Sequence, residues 1–233
     1  MKLDQATVLI TGANRGIGLA FAKAALERGA RKVYAGARNS DSVKLPGVTP
    51  LRLDVTSAAD IAAAVQIAGD TTLVINNAGI ALFGGVNAPD AEAVLRRHLE
   101  TNVFGVLRVA QAFAPVLARN GGGALLNVAS IASWLSSSML GNYAVSKSAV
   151  WSLSNGLRHE LRAQGTQVLT LHMGFVDTDL TDGIEAAKST PEFIVARAFD
   201  GLEAGAPEVL ADEMTRQVKQ GLAADPAVYL LER

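Results

Sequence analysis

Cysteine is absent from the 233-residue sequence, which excludes disulfide scaffolds, cysteine-ligated zinc, thiol nucleophiles and thiol redox switches. The sequence also lacks an excess of either charge, because it has 21 basic and 22 acidic side chains and a formal net charge of −1. Nucleic acids and anionic membranes attract a positive field, so we expect neither as a partner. With 49% apolar and 18% charged residues, the composition is that of an ordinary compact protein that needs no metal or disulfide to fold.

Long apolar runs are also scarce. The run Thr7–Ile10 near the N-terminus is too short for the core of a signal peptide. Arg108 and Gln111 interrupt the most apolar later stretch, so we predict no membrane span and a cytoplasmic location. Asp177, Asp179 and Asp182 could suggest a calcium or magnesium cluster, but no glutamate follows them at the spacing of a calcium loop. The three histidines show no partner spacing either, so we predict no metal site.

Short apolar runs rich in β-branched residues alternate with helical stretches rich in alanine and leucine. Because most of these runs are continuously apolar, we predict strands whose two faces are both covered. Repeated β-α-β units with right-handed crossovers then form one α/β domain over residues 1–233, a doubly wound parallel sheet with helices on both faces. The predicted strands are Thr7–Ile10, Lys32–Ala35, Pro50–Val55, Thr72–Asn76, Ala124–Ala129, Gln167–His172 and Glu208–Ala211. The predicted helices are Ile17–Arg28, Ala58–Ala68, about 90–119, about 142–164, about 191–203 and about 213–222.

A glycine-rich turn, TGANRGIG, follows the first predicted strand from Thr11 to Gly18. Gly12, Gly16 and Gly18 have the spacing G-x₃-G-x-G and open a helix directly after the strand. Glycines at such points let the backbone approach a pyrophosphate, which the partial positive charge of the helix N-terminus stabilises. A purely structural strand-to-helix turn is the alternative, but the position within a β-α-β unit favours a dinucleotide site.

The residue type after the second strand bears on the choice of dinucleotide. Twenty residues after Gly18, where such a site keeps an acid for the ribose 2′-hydroxyl, the chain has Ala37-Arg38. A guanidinium group suits a 2′-phosphate, because it forms paired charge-assisted hydrogen bonds. Arg15, within the glycine turn, is a candidate second cation. Two solvated surface arginines are the alternative; we predict NADP(H) in preference to NAD(H).

Polar residues follow the next strands, at the edge of the sheet where ligands bind in folds of this kind. Asp54 follows the third strand, and the run Asn76-Asn77-Ala78-Gly79 follows the fourth. Small polar side chains at these points can contact adenine or ribose. Ordinary turn chemistry explains Asn77 equally well.

Tyr143 and Lys147 are four positions apart on the helix that follows Ser130 and the fifth strand. This spacing places both on one helix face. A free phenol has a pKa near 10, too high to exchange protons readily at neutral pH. We expect Lys147, helped by a positively charged nicotinamide, to lower the pKa of Tyr143 by roughly two to three units. Taken alone, Tyr143 and Lys147 could be an ordinary exposed pair on a helix. Their occurrence together with Ser130 and the glycine turn favours a catalytic group instead.

Taken together, these motifs resemble the short-chain dehydrogenase/reductase family. The residues that carry the resemblance are TGANRGIG from Thr11, Asp54, NNAG from Asn76, Asn102, Ser130, Tyr143 and Lys147. The resemblance extends from Thr7 to the strand near Val209. It implies a Rossmann-type sheet of seven strands and hydride transfer between NAD(P)H and a carbonyl or alcohol. It also implies a homodimer or homotetramer, in which the helix that carries Tyr143 and the helix before it pack across a two-fold axis.

The resemblance also implies a role for each matching residue. Tyr143 is the general acid in reduction and the general base in oxidation, and Lys147 binds the nicotinamide ribose and lowers the tyrosine pKa. Ser130 holds the substrate oxygen, and Asn102 holds a water in a proton relay to Lys147. The residues expected to contact the cofactor are Gly12, Asn14, Arg15, Gly16, Ile17, Gly18, Arg38, Asp54, Val55, Asn77, Ala78, Gly79, Tyr143, Lys147, Gly174, Val176 and Thr178.

The loop after the sixth strand departs from the family pattern. Met173-Gly174 stands where Pro-Gly is usual, so the rigidity of this loop is an open question. Val176 and Thr178 are still expected to reach the carboxamide and the pyrophosphate. Only about a dozen residues separate Thr178 from Pro191, where relatives carry a substrate lid, and this favours an open or shallow substrate site.

Apolar residues between Ser130 and Tyr143 are candidates for the substrate wall, although structural filling explains them equally well. They are Trp134, Leu135, Met139 and Leu140, and Phe83 and Phe175 extend the set. Such a wall favours a hydrophobic or aromatic carbonyl.

The sequence thus predicts an NADP(H)-dependent oxidoreductase whose substrate is a small apolar ketone, aldehyde or secondary alcohol. A non-catalytic NADP(H)-sensing regulatory protein on the same fold is the alternative. A sensor needs only the cofactor half of the site, and it leaves Asn102, Ser130, Tyr143 and Lys147 unexplained. A methyltransferase that uses S-adenosylmethionine would share the glycine turn, but it gives no reason for the serine, tyrosine and lysine.

Overall fold

Seven parallel strands form one sheet in the computed structural model, which describes residues 1–231. They are β1 (Thr7–Thr11), β2 (Lys32–Ala37), β3 (Thr49–Arg52), β4 (Leu73–Asn76), β5 (Ala124–Val128), β6 (Gln167–His172) and β7 (Glu208–Leu210). Their order across the sheet is β3-β2-β1-β4-β5-β6-β7, and every neighbouring pair is parallel. The predicted seven-stranded parallel sheet is confirmed, and each strand begins and ends within a few residues of its predicted bounds.

Helices connect the strands and cover both faces of the sheet. They are α1 (Gly16–Glu27), α2 (Ala58–Ile67), α3 (Ala91–His98), α4 (Gly105–Arg119), α5 (Gly141–Glu160), α6 (Pro191–Glu203) and α7 (Glu213–Gly221). Side-chain caps begin several of them. Ser57 accepts a hydrogen bond from the Asp60 amide at the start of α2, and Thr190 accepts one from the Phe193 amide at the start of α6.

Both faces of the sheet are buried, which explains why its strands are continuously apolar. On one face, α1 and α6 pack through Phe21 and Phe199, whose ring centroids are 5.3 Å apart. On the other face, α2, α4 and α5 form a second cluster that includes Phe113. Neighbouring residues of β1 alternate between the two, because Ile10 belongs to the first cluster and Leu9 to the second.

The stretch predicted as one helix near 90–119 is continuous but not uniform. A π-helical turn, Leu99–Phe104, joins α3 to α4. By length and average composition, the 29 residues Ala91–Arg119 would also suit a membrane span. In the fold, however, the apolar face of α4 packs on the sheet with Phe113 and Leu117 buried. The stretch is therefore a core helix.

The strand order reverses between β1 and β4, because the chain adds β2 and β3 on one side of β1 and then β4 on the other. The segments that follow β1 and β4 diverge there and leave a crevice at the carboxyl edge of the sheet. Ligands of doubly wound sheets bind at this point. The fold thus brings the segments after several strands to one place.

A buried polar network ties the middle of the sheet to α5. Asn76 and Asn127 are register partners on β4 and β5, and Asn76 Nδ2 donates a hydrogen bond to Asn127 Oδ1 at 2.9 Å. Asn127 Nδ2 donates in turn to Ser154 Oγ at 2.9 Å, and that hydroxyl donates to the Val150 carbonyl at 2.7 Å. All three side chains are buried, so water cannot replace these bonds.

Asn127→Ala should destabilise the protein through this network. The substitution removes a hydrogen-bond partner from both Asn76 and Ser154, and a buried group left unpaired costs roughly 1–3 kcal/mol. We expect the free energy of unfolding, measured in urea, to fall by about 2–4 kcal/mol. Asn87→Ala, at an exposed position, is the matched control and should stay within about 0.5 kcal/mol of the wild type. An Asn127→Ala protein as stable as this control would contradict the importance of the network.

Candidate active site

A cavity of about 640 Å³ opens at the carboxyl edge of the sheet. Segments that follow β1, β2, β3, β4, β5 and β6 line it, together with the start of α5. The predicted site residues in its lining are Gly12, Asn14, Arg15, Gly16, Ile17, Arg38, Asp54, Val55, Asn77, Ala78, Gly79, Ser130, Tyr143, Lys147, Gly174, Phe175, Val176 and Thr178. The predicted site residues outside its lining are Gly18, Asn102, Trp134, Leu135 and Met139.

Close backbone approaches shape the glycine turn after β1. Gly12 and Gly16 have φ angles of 67° and 53°, in the left-handed region that favours glycine. Gly18 lies against the turn, where a Cβ atom would stand 2.1 Å from the Gly12 carbonyl oxygen. The helix α1 begins there without a side-chain cap and without an acidic residue in its first turn. Its free N–H groups and the positive end of its dipole are therefore available to an anion.

Thr11 and Asn77 lock the glycine turn to the loop after β4. Thr11 Oγ1 accepts hydrogen bonds from the backbone amides of Asn77 and Ala78 at 3.0 and 2.9 Å. The Asn77 side-chain amide donates to the carbonyl oxygens of Thr11 and Gly12 at 3.0 and 3.1 Å. The Asn77 side chain thus holds the two sides of the crevice together.

The two arginines considered for a 2′-phosphate have different surroundings. Arg38 is exposed just after β2, and it forms no ion pair with the residues that the structure describes. Arg15 instead binds Asp179, beyond β6, with 2.6 Å between Nη1 and Oδ2. Both side chains of that pair are mostly exposed, and such pairs are weak and screened by salt. Arg38 is therefore the better placed of the two.

Asp54 keeps its negative charge at the cavity wall. Partial burial acts to raise its pKa, but hydrogen bonds from the Thr56 amide and hydroxyl, at 2.9 and 2.7 Å, hold the pKa below its usual value. The nearby charges of Arg38 and Arg52 act in the same direction. An ionised carboxylate that accepts hydrogen bonds is thus present where the sequence predicts a contact to adenosine.

Ser130, Tyr143 and Lys147 come together in the cavity. Tyr143 and Lys147 are one turn apart on α5, and the Lys147 ammonium is 5.6 Å from the centre of the tyrosine ring. The Ser130 hydroxyl accepts a hydrogen bond from the Ala132 amide at 3.1 Å and lies near the phenol of Tyr143. Lys147 Nζ donates to the carbonyl of Val128, the last residue of β5, at 2.8 Å. This bond fixes the ammonium group against the end of the strand.

Burial shifts the pKa values of the tyrosine and the lysine in opposite directions. It raises the pKa of Tyr143 to about 12, although the nearby Ser130 hydroxyl opposes the rise. It lowers the pKa of Lys147 to about 8, because a buried ammonium loses its hydration. The expectation that Lys147 lowers the pKa of Tyr143 is therefore wrong for the protein's own groups. Desolvation of the phenolate dominates, and the Lys147 ammonium is bonded to the Val128 carbonyl and not to the phenol.

Asn102, in the π-helical turn, ties the loop after β4 to α5. Its Oδ1 accepts the Ile80 amide at 2.8 Å, and its Nδ2 donates to the Ile80 carbonyl at 2.9 Å and to Ser146 Oγ at 3.0 Å. Ser146 directly precedes Lys147, so Asn102 supports the helix that carries the lysine. The water relay implied for Asn102 stays a prediction.

His98, which sequence analysis left without a role, supports the same loop. It is buried, its Nε2 accepts the Leu82 amide at 3.0 Å, and its Nδ1 lies 3.0 Å from the Val94 carbonyl. These contacts require a neutral ring with its proton on Nδ1, and burial lowers the pKa of His98 accordingly. The ring packs edge-on against Tyr143 with centroids 6.0 Å apart. No local pattern marks this histidine, because its partner lies 16 positions away.

The apolar part of the cavity differs from the wall that the sequence predicts. Phe83, Leu140 and Phe175 line the cavity, and Leu180 and Ile184 join them. The last two belong to the short segment between Thr178 and Pro191. No helical or strand periodicity in that segment marks them, because it contains only the 3₁₀ turn Asp179–Thr181.

Trp134, Leu135 and Met139 do not belong to this wall. After Ser130 the chain makes a 3₁₀ turn, Ile131–Ser133, that carries Trp134 away from the cavity. The indole stacks on the His172 ring, with centroids 4.2 Å apart. Leu135 stays outside the lining, and Met139 is 55% exposed.

The loop after β6 has its own support at the position where the family has proline. Met173 is buried, and its carbonyl accepts the Ile131 amide at 2.8 Å. The Gly174 amide donates to Asp212 Oδ2 at 2.7 Å, and Oδ1 of the same carboxylate caps α7 by accepting the Thr215 amide at 2.8 Å. Asp212 thus anchors the loop and restrains it although Met173 replaces the usual proline.

Comparison with known proteins gives consistent results. The model of the family described as "short chain dehydrogenase" matches residues 6–189. A short-chain dehydrogenase from Penicillium ochrochloron is 38% identical over 189 residues, which cover 76% of this chain and 68% of that protein. The crystal structure of a short chain dehydrogenase from Burkholderia cenocepacia in complex with NADP has a TM-score of 0.94 and 36% identity, with 100% of both chains covered. A short-chain dehydrogenase/reductase from Burkholderia phymatum in complex with NAD has a TM-score of 0.80 and 25% identity, with 95% of each chain covered.

Burial of Lys147 predicts how stability depends on pH. Its pKa is about 8 in the folded protein and near 10.5 in the unfolded chain, so between these values the unfolded chain binds more protons and stability rises with pH. Lys147→Met removes this titration. Between pH 8 and 10.5, we expect the free energy of unfolding of the wild type to rise relative to this variant by roughly 3 kcal/mol. Tyr143, whose raised pKa acts in the opposite sense above pH 10, is present in both proteins and cancels.

The measurement is a series of urea unfolding curves at increasing pH. Lys23→Met, at an exposed position, is the matched control and should follow the wild type at every pH. Parallel curves for the wild type and Lys147→Met would show that the lysine is not desolvated.

Proposed function

The chain belongs to the short-chain dehydrogenase/reductase family, and on this premise we propose that it is an NADP(H)-dependent oxidoreductase for apolar ketones, aldehydes or secondary alcohols. Family membership supports hydride chemistry at CH–OH and C=O groups of small molecules with a nicotinamide cofactor. The observation that carries the proposal is the meeting of Ser130, Tyr143 and Lys147 in the cavity that the glycine turn also lines.

The residues of the crevice fit a dinucleotide. The turn around Gly12 and Gly18 leaves no room for side chains, and the uncapped start of α1 suits a pyrophosphate. Asp54 and Arg38 would hold the adenosine half, and Val176 and Thr178 the nicotinamide half and the pyrophosphate. When bound, the cofactor supplies the hydride donor for reduction and the acceptor for oxidation.

Ser130 and Tyr143 supply the hydrogen bonds and the proton for the substrate oxygen. Their two hydroxyl groups lie near each other in the cavity, so both can donate to one substrate carbonyl oxygen placed beside them. In reduction, Tyr143 gives its phenolic proton to that oxygen as negative charge develops there, and in oxidation it takes the proton back. Lys147, one helix turn away, stabilises the phenolate that reduction leaves. Asn102 holds α5 in place through Ser146.

Preference for NADP(H) rests on Arg38. It is exposed and lines the cavity at the position where NAD-binding sites keep an acid. Of the two cofactor complexes compared above, the one with NADP is also the more similar to this chain.

The apolar wall and the exposed face of α5 support the remaining parts of the proposal. Phe83, Leu140 and Phe175 favour an apolar substrate. Phe104 and Val145 are 44% and 43% exposed, beside α4 and on α5, which supports a homodimer or homotetramer assembled through these helices. We infer a cytoplasmic location from the sequence and expect no nucleic-acid or membrane partner.

Tyr143→Phe should abolish most of the turnover while leaving cofactor binding intact. The substitution removes only the hydroxyl group, and acid–base groups contribute roughly 10²- to 10⁴-fold to rate. We expect kcat for NADPH oxidation with a panel of apolar carbonyls to fall by that factor, and the Kd for NADPH to stay unchanged.

Tyr229→Phe makes the same chemical change at a residue that is 55% exposed and outside the cavity. This control should retain wild-type turnover. Full activity of Tyr143→Phe would refute the assigned role, and a wild-type protein that binds NADPH but reduces nothing in the panel would favour a sensor.

Arg38→Ala should weaken NADPH far more than NADH. The lost bonds join a guanidinium group to a phosphate and are worth roughly 1.5–3 kcal/mol, so we expect a 10- to 100-fold higher Kd for NADPH. NADH lacks the phosphate and should bind almost as before. Arg119→Ala, exposed at the end of α4, serves as the control. Equal losses for the two cofactors would contradict the assignment.

A further inference from the structure

A buried histidine lies directly behind Ser130. His172 is the last residue of β6 and is 0% exposed. Its Nδ1 is 3.0 Å from the Ser130 carbonyl oxygen, and its Nε2 is 3.2 Å from Oε1 of Glu208 on β7. The imidazole therefore bridges the residue after β5 and the edge strand of the sheet.

The two ring nitrogens have different partners. A carbonyl oxygen only accepts hydrogen bonds, so the contact with Ser130 needs a proton on Nδ1. Partial burial acts to raise the pKa of Glu208, but His172 and Lys219 bring it down to about 2, so the group is a carboxylate. The contact of this carboxylate with Nε2 lies off the line of a hydrogen bond, so the bond to Ser130 is the defined hydrogen bond of the ring.

The elements packed around this pair hold the carboxylate and the ring in place. Lys219 on α7 lies 3.0 Å from Glu208 Oε2, and Trp151 on α5 donates its indole N–H to Oε1 at 3.1 Å. Arg158 on α5 adds another positive charge near the carboxylate. Trp134 stacks on the imidazole, with ring centroids 4.2 Å apart, and this contact restrains the plane of the ring.

The turn after Ser130 is held at both ends. At its far end, Ser133 Oγ donates to the Lys147 carbonyl at 3.1 Å, and Ser148 Oγ donates to the Ser133 carbonyl at 2.9 Å. At its near end, the Ser130 carbonyl accepts a hydrogen bond from the Ser133 amide at 3.0 Å and also meets His172, and the Ile131 amide donates to the Met173 carbonyl. Among these, the contact with His172 is the side-chain bond that joins the Ser130 carbonyl to β6.

We propose that His172 is a positioning residue of the active site: its Nδ1–H group holds the Ser130 carbonyl and thereby fixes the Ser130 hydroxyl beside Tyr143. The inference rests on the proposed function, because this placement matters only if Ser130 holds a substrate oxygen.

The protonation state can be tested without turnover, by NMR of protein labelled with nitrogen-15 histidine. The chain has three histidines, and His172→Asn identifies the signals of His172. We expect Nδ1 of His172 to carry a proton in the wild type, because the Ser130 carbonyl can only accept a hydrogen bond from it. A ring whose Nδ1 carries no proton would overturn the proposal.

Kinetics with NADPH and a carbonyl substrate test the positioning. His172→Leu removes the donor to the Ser130 carbonyl. It should lower kcat roughly 10- to 100-fold, because a displaced catalytic group costs about this much in rate. Asparagine keeps a donor near the place of Nδ1, and His172→Asn should restore most of this loss. The Kd for NADPH should change in neither variant, because His172 does not line the cavity. His159→Leu, at an exposed position, is the matched control and should keep the wild-type kcat.

Two outcomes would overturn the inference while leaving the proposed function intact. One is a wild-type kcat in His172→Leu, and the other is an equal loss of kcat in His172→Leu and His172→Asn. A wild-type protein that reduces no carbonyl in the panel would contradict the proposed function instead, and the NMR experiment would still decide the state of His172.

Discussion

The site depends on the attachment of α5 to the carboxyl end of β5, because Tyr143 and Lys147 stand on the helix and Ser130 directly follows the strand. The lysine ammonium is bonded to the last carbonyl of the strand, and farther along the helix Ser154 is bonded to Asn127. These contacts are buried, so a shift of the helix along the sheet would leave buried polar groups without hydrogen-bond partners. The three reactive groups are therefore held in place by the fold itself, before any ligand contributes.

The same burial sets the protonation of the reactive groups. A phenol with a pKa of about 12 keeps its proton at neutral pH, which the proposed role of Tyr143 as an acid requires. The neighbouring lysine, with a pKa of about 8, is still mostly charged at neutral pH, but it holds its proton less firmly than an exposed lysine. A negative charge that develops on the phenol oxygen would meet the Ser130 hydroxyl beside it and this cation one helix turn away.

Local patterns were enough to predict most of the fold. The strands are apolar along their whole length because both faces are buried, and the turn Thr11–Gly18 is determined by eight neighbouring residues. Side-chain partners that lie far apart leave no such pattern. The bond from Arg15 to Asp179 spans 164 positions, so the sequence could not show that this arginine already has a partner.

The place of Trp134 shows the same limit. Its position between Ser130 and Tyr143 suggested a wall residue, yet its direction is set by the turn after Ser130 and by His172, which lies 42 positions after Ser130. The pKa of Tyr143 also escaped prediction, because helix spacing reports the distance to Lys147 but says nothing about the depth at which both are buried.

The π-helical turn at Leu99–Phe104 constrains how insertions and deletions are tolerated. The helix before it, α3, packs on α5, whereas α4 packs on α2 and on the sheet. Each residue added to or removed from a helix rotates the remainder of that helix by about 100°, so this wide turn sets the angle between the two packed faces. A homologue shorter by one residue here would have to repack one of the helices, and the loop that Asn102 and His98 hold would lose its supports. The length of this segment therefore decides which faces of α3 and α4 reach their packing partners.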